Sequence, residues 1–246
     1  AKAPTVVKTA SSKDTITGLL TDFNKYYVAG KGVTDEGKSV LAHDDQLTED
    51  INNKAYGTDG NTAQDQRALS DAQMNSTNTL YDALGPVLGK YYKDAADAGK
   101  LPKTAQFLSD MNKSASTGVA KATYQHPRPY VDRANFNGTT LNMNGLKQTL
   151  NIKKVPGYEN FDWGDGEAPD NEYDGLYNSG SFPSGHTTFA FTQGAGLAYL
   201  LPELGPEIMT RVSEAGNNRI VLGVHYPLDI MGGHIAGQYG VATAVS

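Results

Sequence analysis

Cysteine is absent from the 246 residues of this sequence, which excludes disulfides, thiolate nucleophiles and zinc sites built on thiolates. Basic residues are also scarce: 21 lysines and arginines stand against 27 acidic residues, giving a net charge of -6. Nucleic-acid binding draws on a basic surface that releases counterions. A general nucleic-acid binder is therefore not expected, and any anion site must be local.

Long apolar runs are missing too. No stretch approaches the roughly 20 apolar residues that span a bilayer, and the mean hydropathy is -0.48, so a membrane-embedded protein is not expected. Residues 1–12 are read as a flexible, polar N-terminal segment of a bacterial protein that is secreted or held in the cell envelope after loss of a leader. The remainder, 13–246, is expected to form a single domain.

Apolar residues recur at helical spacing along much of the chain, and no strand pattern is strong enough to predict a sheet. The fold class expected is all-α, a single-domain helical bundle. Its first half is interpreted as scaffold, because amphipathic stripes usually bury core. The predicted helices cover residues 16–27, 107–119, 187–201, 206–215 and 227–245, with weaker signals over 39–53 and 62–96.

The stretch from about 130 to 181 is rich in Gly, Asn, Asp and Tyr and keeps no regular period. A loop of that length predicts a lid over a pocket. Its acidic residues do not have EF-hand spacing, so a solvated loop is favoured over a calcium site and no metal site is expected. These acidic residues are Asp162, Asp165, Glu167, Asp170, Glu172 and Asp174.

Three cations, Lys121, Arg128 and Arg219, lie in or beside apolar helical sequence. A lone buried charge is costly, so the three are expected to share an anion. Phosphate satisfies that requirement, because guanidinium groups bind its oxygens bidentately and lysine adds a point charge.

Ser184, Gly185 and His186 precede an apolar helix, so their backbone N–H groups and the helix dipole are expected to face the same anion. His225 and Asp229 are four residues apart. The carboxylate can hold one ring nitrogen and leave the other free as a nucleophile. His186 is then the expected acid for the leaving group and later the base for water.

These segments together resemble the signature of the type 2 phosphatidic acid phosphatase superfamily, which includes bacterial class A non-specific acid phosphatases and vanadium haloperoxidases. The signature reads Lys, six residues, Arg-Pro; then Pro-Ser-Gly-His; then Ser-Arg, five residues, His, three residues, Asp. Lys121, Arg128 and Pro129 fit its first part, 183–186 the second, and Arg219, His225 and Asp229 the third. The resemblance covers the second half of the chain.

The resemblance implies a metal-independent acid phosphatase that hydrolyses small phosphate monoesters through a phosphohistidine on His225. No cofactor is implied, although vanadate or phosphate is expected to fit the site. Two alternatives are a vanadate-dependent haloperoxidase and a phosphate-binding protein without turnover. A homodimer is suggested by the resemblance and by the prevalence of two-fold assemblies.

The sequence departs from the signature at one position, where Asn218 replaces the serine before the arginine. Asparagine can still donate a hydrogen bond to phosphate, so we keep Asn218 among the binding residues. His126 lies between Lys121 and Arg128, and two roles stay open for it, in the pocket or as an ordinary loop histidine. His43 and His234 match no motif position and are interpreted as structural.

Overall fold

The protein is described by a computed structural model over residues 12–75, 79–131, 133, 150–158 and 179–245. The predicted segment 1–12 lies almost wholly outside these residues, as does most of the predicted lid. The described part is predominantly helical, as the sequence predicts. Its α-helices are α1 (Ser12–Leu19), α2 (Gly37–Tyr56), α3 (Ala63–Ala72), α4 (Leu88–Asp97), α5 (Pro102–Lys113), α6 (Gly118–Tyr124), α7 (Gly185–Leu200), α8 (Gly205–Val221) and α9 (Pro227–Val245).

The first predicted helix was wrong in length. Helix α1 ends at Leu19 and is followed by a 3₁₀ turn, Thr21–Lys25. The chain tightens there because the N–H of Leu20 bonds the carbonyl of Thr17. Leu20, Phe23 and Tyr27 are all buried nonetheless, so the apolar pattern identified the buried side correctly.

A two-stranded antiparallel sheet was also missed. Strand β1 (Tyr27–Val28) pairs with β2 (Gly32–Val33), with Tyr27 opposite Val33. Each strand is too short to show an alternating pattern in sequence. The reversal between them uses Gly30 at φ 73°, a left-handed conformation that glycine adopts without steric penalty.

Two other predicted helices have different bounds. The 107–119 prediction divides into α5 and α6, since three of the four residues 114–117 are Ser or Thr and the Ser114 hydroxyl bonds the carbonyl of Met111. The 206–215 prediction stops too early, because α8 continues to Val221. Gly216 lies inside it, where a Cβ would be only 3.0 Å from Ile230 Cγ2, so tertiary packing overrides the helix-breaking residue.

Helix α7 is the centre of the bundle and packs on α8 and α9, with α5 on another side. Close packing depends on small residues at the crossings. At Gly233 of α9 a Cβ would lie 2.6 Å from the carbonyl oxygen of Ser184 at the start of α7. The start of α7 is thereby brought against the start of α9, and both ends carry residues of the predicted site.

The first half of the chain wraps around this bundle. Phe23 stacks on Phe182 with ring centroids 3.8 Å apart, and the Tyr124 hydroxyl bonds the carbonyl of Thr17. On the other side Asn52 of α2 donates to the carbonyls of Lys153 and Val221 at 3.0 and 2.8 Å. The first half thus fixes the segments that lead into the site.

None of the described helices is long and apolar enough to cross a membrane.

Candidate active site

Backbone hydrogen bonds hold the three motif segments together. The N–H of Ser181 donates to the carbonyl of His126 at 2.8 Å, which joins the first segment to the second. The N–H of Ser184 donates to the carbonyl of Asp229 at 2.9 Å, which joins the second to the third. Residues far apart in sequence are therefore held at one end of the bundle by main-chain contacts.

The third segment takes its shape from a helix end. Helix α8 stops at Val221, and Gly223 at φ 73° turns the chain so that the N–H of Val224 bonds the carbonyl of Arg219. Pro227 then starts α9. Arg219 consequently lies in the last turn of one helix, Asp229 lies in the first turn of the next, and His225 lies in the connection between them.

Arg128 is buried, and main-chain carbonyls hold its guanidinium. Its Nε donates to the carbonyl of Ser179 at 3.0 Å, and Nη1 donates to the carbonyl of Val224 at 3.0 Å. The same Nη1 lies 3.1 Å from Nε2 of His225. Burial is the main reason that the pKa of Arg128 is lowered, and the nearby Arg219 lowers it further.

Lys121 lies in the last turn of α6 and reaches the loop before α7, where Nζ donates to the carbonyl of Gly180 at 2.6 Å. Burial lowers its pKa well below the ordinary value, and the positive charges of Arg128 and Arg219 act in the same direction. Asp229 opposes them. The three predicted cations therefore lie close enough to repel one another, which an anion among them would relieve.

Arg219 is 1% exposed, and its Nη2 donates to the Tyr158 hydroxyl at 3.0 Å. Its Nε and Nη1 have no hydrogen-bond partner among the described residues. Leaving two buried N–H groups of a cation unpaired is costly, and an oxyanion with two acceptor oxygens is the ligand that would satisfy them.

His225 and Asp229 form the predicted pair. Nδ1 of His225 lies 3.1 Å from Oδ2 of Asp229, and that oxygen also accepts the N–H of Tyr226 at 2.8 Å. Because a carboxylate accepts, Nδ1 carries the proton and Nε2 has the lone pair. Burial lowers the pKa of His225 well below its ordinary value, with Arg128 the next cause, while burial raises the pKa of Asp229 to about 6.

His186 stands in the first turn of α7, and its Nε2 donates to the carbonyl of Ala72 at 3.0 Å. A carbonyl only accepts, so Nε2 holds the proton of the neutral ring and Nδ1 is the atom that can gain or lose one. Burial lowers its pKa well below the ordinary value, and Arg219 adds to the effect. His186 is thus in the electrostatic range of the cations.

Ser184 is the N-cap of α7. Its Oγ accepts the N–H of Thr187 at 3.2 Å and the Thr187 hydroxyl at 2.9 Å, so its own hydrogen remains for another acceptor. Gly185 follows at the helix start, where a Cβ would be 3.1 Å from Thr117 Oγ1 and 3.9 Å from Lys121 Cε. Gly185 therefore lies beside Lys121, and Ser184 precedes it at the same helix start.

Asn218 is buried, and its amide faces α3. Nδ2 donates to Asp71 Oδ2 at 2.7 Å, while Oδ1 accepts from Gln64 Nε2 at 3.3 Å. Asp71 also accepts from Arg211 Nη1 at 2.9 Å. The amide nitrogen has two hydrogens and the bond to Asp71 uses one, so a contact with phosphate needs the other.

A cavity of about 890 Å³ opens beside His186. Apolar side chains, among them Phe189, Met74 and Leu80, form part of its wall. Charged residues around it come from α3, α4, α8 and a 3₁₀ turn at Tyr81–Leu84, namely Arg67, Asp71, Asp82, Lys93 and Arg211. A leaving group that takes its proton from His186 would have room there.

Several residues of this region were not singled out by sequence reasoning. Ser181 contacts Asp229, Tyr158 contacts Arg219, and Asp44 accepts the N–H of Leu228 at 3.1 Å. None belongs to a motif with a known spacing, and the contacts cross more than 45 residues of chain. Of these residues, only Ser181 has a local indication in the sequence, because it directly precedes the Phe-Pro-Ser-Gly-His segment.

The remaining histidines lie in different places. His126 is buried beside Ser181, whereas His43 is exposed on α2 and His234 lies half-buried on α9. No group of three or more His, Asp or Glu side chains suited to a metal ion occurs within the described ranges.

Comparison with known proteins agrees with the motif. Residues 105–245 match the model of the PAP2 superfamily. The chain is 36% identical over 212 residues to an acid phosphatase of Zymomonas mobilis, covering 84% of this chain and 64% of that protein. It is 27% identical over 189 residues to a non-specific acid phosphatase of Providencia stuartii, covering 74% of this chain and 61% of that protein. The chain thus spans less than two thirds of the length of these relatives.

Proposed function

Since the chain belongs to the PAP2 superfamily, we propose that it is a phosphatase that hydrolyses small phosphate monoesters through a phosphohistidine on His225, without a metal. One observation carries the proposal most directly. The buried guanidinium of Arg219 has two N–H groups without a partner in the described part of the chain, and it lies within electrostatic range of His225, whose Nδ1 is held by Asp229. A phosphoryl group between them would satisfy the cation and face the nucleophile.

In this proposal the phosphoryl group is held by Lys121, Arg128 and Arg219, with the Ser184 hydroxyl, the N–H of Gly185 and the second amide hydrogen of Asn218. The Nη1 of Arg128 that now points at His225 would turn to a phosphate oxygen. Such donors stabilise the charge of the transferring phosphoryl group and hold it for in-line attack.

The reaction proceeds in two displacements. Nε2 of His225 forms a bond to phosphorus as the bond to the ester oxygen breaks, and Nδ1 of His186 gives its proton to that oxygen. A water molecule then loses a proton to His186 and attacks phosphorus, breaking the P–N bond and releasing inorganic phosphate. Asp229 keeps the proton on Nδ1 of His225 throughout, which stabilises the charge of the phosphorylated ring.

Acid activity follows from the same geometry. His186 must be protonated and His225 neutral at the start of turnover, and both have lowered pKa values in the folded chain. A bound dianion offsets the cations that hold the pKa of His186 down, so it raises that pKa selectively where substrate is present. A bell-shaped rate profile with its maximum in mild acid is expected.

The test is hydrolysis of an aryl phosphate by the wild type and by His225→Ala, Asp229→Asn and His186→Ala, with and without a chelator. We expect loss of turnover in His225→Ala, a drop of about 10³-fold in Asp229→Asn, and no effect of the chelator. His43→Ala, an exposed histidine, is the matched control. Acid-labile, base-stable phosphoryl label on the His186→Ala protein would identify the intermediate.

Other outcomes would contradict the proposal. Bromide oxidation with vanadate and peroxide, without phosphatase activity, would indicate a haloperoxidase. Phosphate binding without hydrolysis would indicate a binding protein. Export from a bacterial cell and assembly as a homodimer are further parts of the proposal, tested by cell fractionation and light scattering.

A further inference from the structure

A line of buried side chains runs from Asp229 away from the phosphate site. The Ser181 hydroxyl lies 3.2 Å from Oδ1 of Asp229, and Nδ1 of His126 lies 2.8 Å from that hydroxyl. Behind His126, Nε of Arg133 lies 2.8 Å from Nε2 of the ring. The line ends at Arg133, which forms a bidentate ion pair with Asp45. Its Nη1 and Nη2 lie 2.9 and 2.7 Å from Oδ2 and Oδ1 of that carboxylate.

The donors and acceptors allow only one direction of hydrogen-bond donation along this line, from Arg133 towards Asp229. Arginine has no acceptor, so Nε of Arg133 donates and Nε2 of His126 must hold a lone pair. The proton of the neutral His126 ring is then on Nδ1, which donates to Ser181. The Ser181 oxygen is used as an acceptor, and its own hydrogen is directed to Asp229.

The surroundings keep His126 neutral and fixed. Burial lowers the pKa of His126 well below its ordinary value, and the charge of Arg133 adds to this. Rings of Phe23, Tyr27 and Tyr226 enclose it, with centroids 5.1, 4.7 and 5.2 Å away. The packed rings restrict rotation of the imidazole, and its burial and the charge of Arg133 favour the neutral form.

We propose that His126 is a positioning residue for the reaction: by donating to Ser181 it fixes that hydroxyl as a donor to Asp229, and so keeps Asp229 ionised and directed at His225. The proposal rests on the proposed function for its kinetic consequence. Asp229 is where such a donor matters, because it is fully buried and Asp44, itself buried, lies near enough for its charge to interact. Chains of hydrogen bonds that point one way also polarise one another.

The groups that surround Asp229 shift its pKa in both directions. Burial raises its pKa, whereas the Tyr226 N–H, Lys121, Arg128 and Ser181 lower it. Removal of the Ser181 contribution should raise the pKa of Asp229. The acid limb of the rate profile would then move to higher pH, because protonated Asp229 can no longer hold Nδ1 of His225.

Two amide variants of His126 separate positioning from packing. Asparagine places an N–H near the position of Nδ1 and keeps the donor to Ser181, whereas glutamine places its amide near Nε2 and keeps only the contact with Arg133. We expect His126→Gln and His126→Phe to lower kcat about 10-fold with KM changed by less than about twofold. His126→Asn should recover most of kcat and the wild-type acid limb.

Ser181→Ala supplies a test that does not depend on the folding of the histidine variants. It should reproduce the effect of His126→Phe, and the double variant should lose no more than either single one, since His126 acts through Ser181. Additive losses, an unmoved acid limb, or His126→Gln as active as His126→Asn would each overturn the proposal. His43→Phe, on the surface, is the control.

Imidazole NMR of ¹⁵N-histidine-labelled protein decides the underlying geometry without turnover. We expect His126 as the neutral Nδ1–H form at neutral pH in the wild type and in Ser181→Ala. An Nε2–H form, or a charged ring, would overturn the proposal even in an active enzyme. If the wild type hydrolyses no phosphate ester while NMR shows the Nδ1–H form, the proposed function fails and the positioning geometry stands.

Discussion

Nη1 of Arg128 points at Nε2 of His225 from 3.1 Å, while Asp229 holds Nδ1 of the same ring. Both contacts favour the same tautomer, because arginine can only donate and carboxylate can only accept. The ring that we propose as the nucleophile is therefore oriented from two sides by residues of the chain itself. Burial, and after it the charge of Arg128, lowers the pKa of His225, which favours the neutral ring.

Replacement of Arg128 should distinguish the effect of its charge from the effect of its hydrogen-bond geometry. Arg128→Lys keeps the charge but loses the planar fork that reaches Ser179, Val224 and His225, and we expect kcat/KM to fall about 100-fold. Arg128→Met also removes the charge and should raise the pKa of His225, measured by NMR. Lys38→Met, on the surface, is the control, and an unchanged His225 titration in Arg128→Met would contradict the argument.

Anion binding should be accompanied by proton uptake. Burial, and after it repulsion by the neighbouring cations, holds the pKa values of Lys121 and His186 down. A dianion between the cations reduces that repulsion, so both pKa values should rise on binding. Calorimetry with sulfate near neutral pH, in buffers of different ionisation enthalpy, measures the protons taken up. Sulfate remains a dianion over the range, so any proton belongs to the protein.

His186→Gln keeps the donor to the Ala72 carbonyl and removes one titrating group. Its proton uptake should be smaller than that of the wild type. Equal uptake in the two proteins would exclude His186 as a contributor.

Asp44→Asn should change how stability depends on pH. Burial and the nearby Asp229 raise the pKa of Asp44 to about 8 from 3.8. Between these values the folded protein holds a proton that the unfolded chain has lost, so this group's stabilising contribution falls as pH rises and is gone above about pH 8. The loss is on the order of 1 kcal/mol per pH unit.

The amide introduced by Asp44→Asn would still accept the N–H of Leu228 but cannot ionise. The free energy of unfolding of this variant relative to wild type, from urea titrations, should therefore increase with pH and level off above about pH 8. Asp35→Asn, at an exposed carboxylate, should show no such trend. A difference independent of pH would contradict the assignment.

Gly233→Ala should separate the starts of α7 and α9. The added Cβ would lie 2.6 Å from the Ser184 carbonyl oxygen and 2.9 Å from Thr187 Cβ, so one helix has to move. We expect a loss of about 1–3 kcal/mol in the free energy of unfolding together with reduced activity. Gly205→Ala is the matched control, because nothing lies within 4 Å of the Cβ it adds.

The sequence predicted the all-α class and which chain segments would meet, because motif spacing and helical periodicity are local properties. The structure brings Lys121, Arg128, Arg219, His186, His225 and Asp229 together, while their catalytic roles stay predictions. Tertiary contacts set those helix bounds that the apolar periodicity could not predict. Examples are the extension of α8 past Gly216 and the early end of α1.

The contacts by which the first half of the chain supports the site could not be predicted from the sequence for the same reason. Asn52, Asp44 and Asp71 lie on helices that the sequence reading treated as scaffold, and each reaches a residue of the second half. Polar residues on amphipathic helices usually face solvent. Nothing in the local pattern distinguishes these three from surface positions.

The amide contacts of Asn218 have a consequence for substitution at this position. Its bond to Asp71, which also binds Arg211, makes positions 218 and 71 one unit. Serine at 218 alone would withdraw the amide donor from a largely buried carboxylate, because its shorter side chain does not reach as far. The residue that departs from the superfamily signature is therefore coupled, in this fold, to a carboxylate outside the motif.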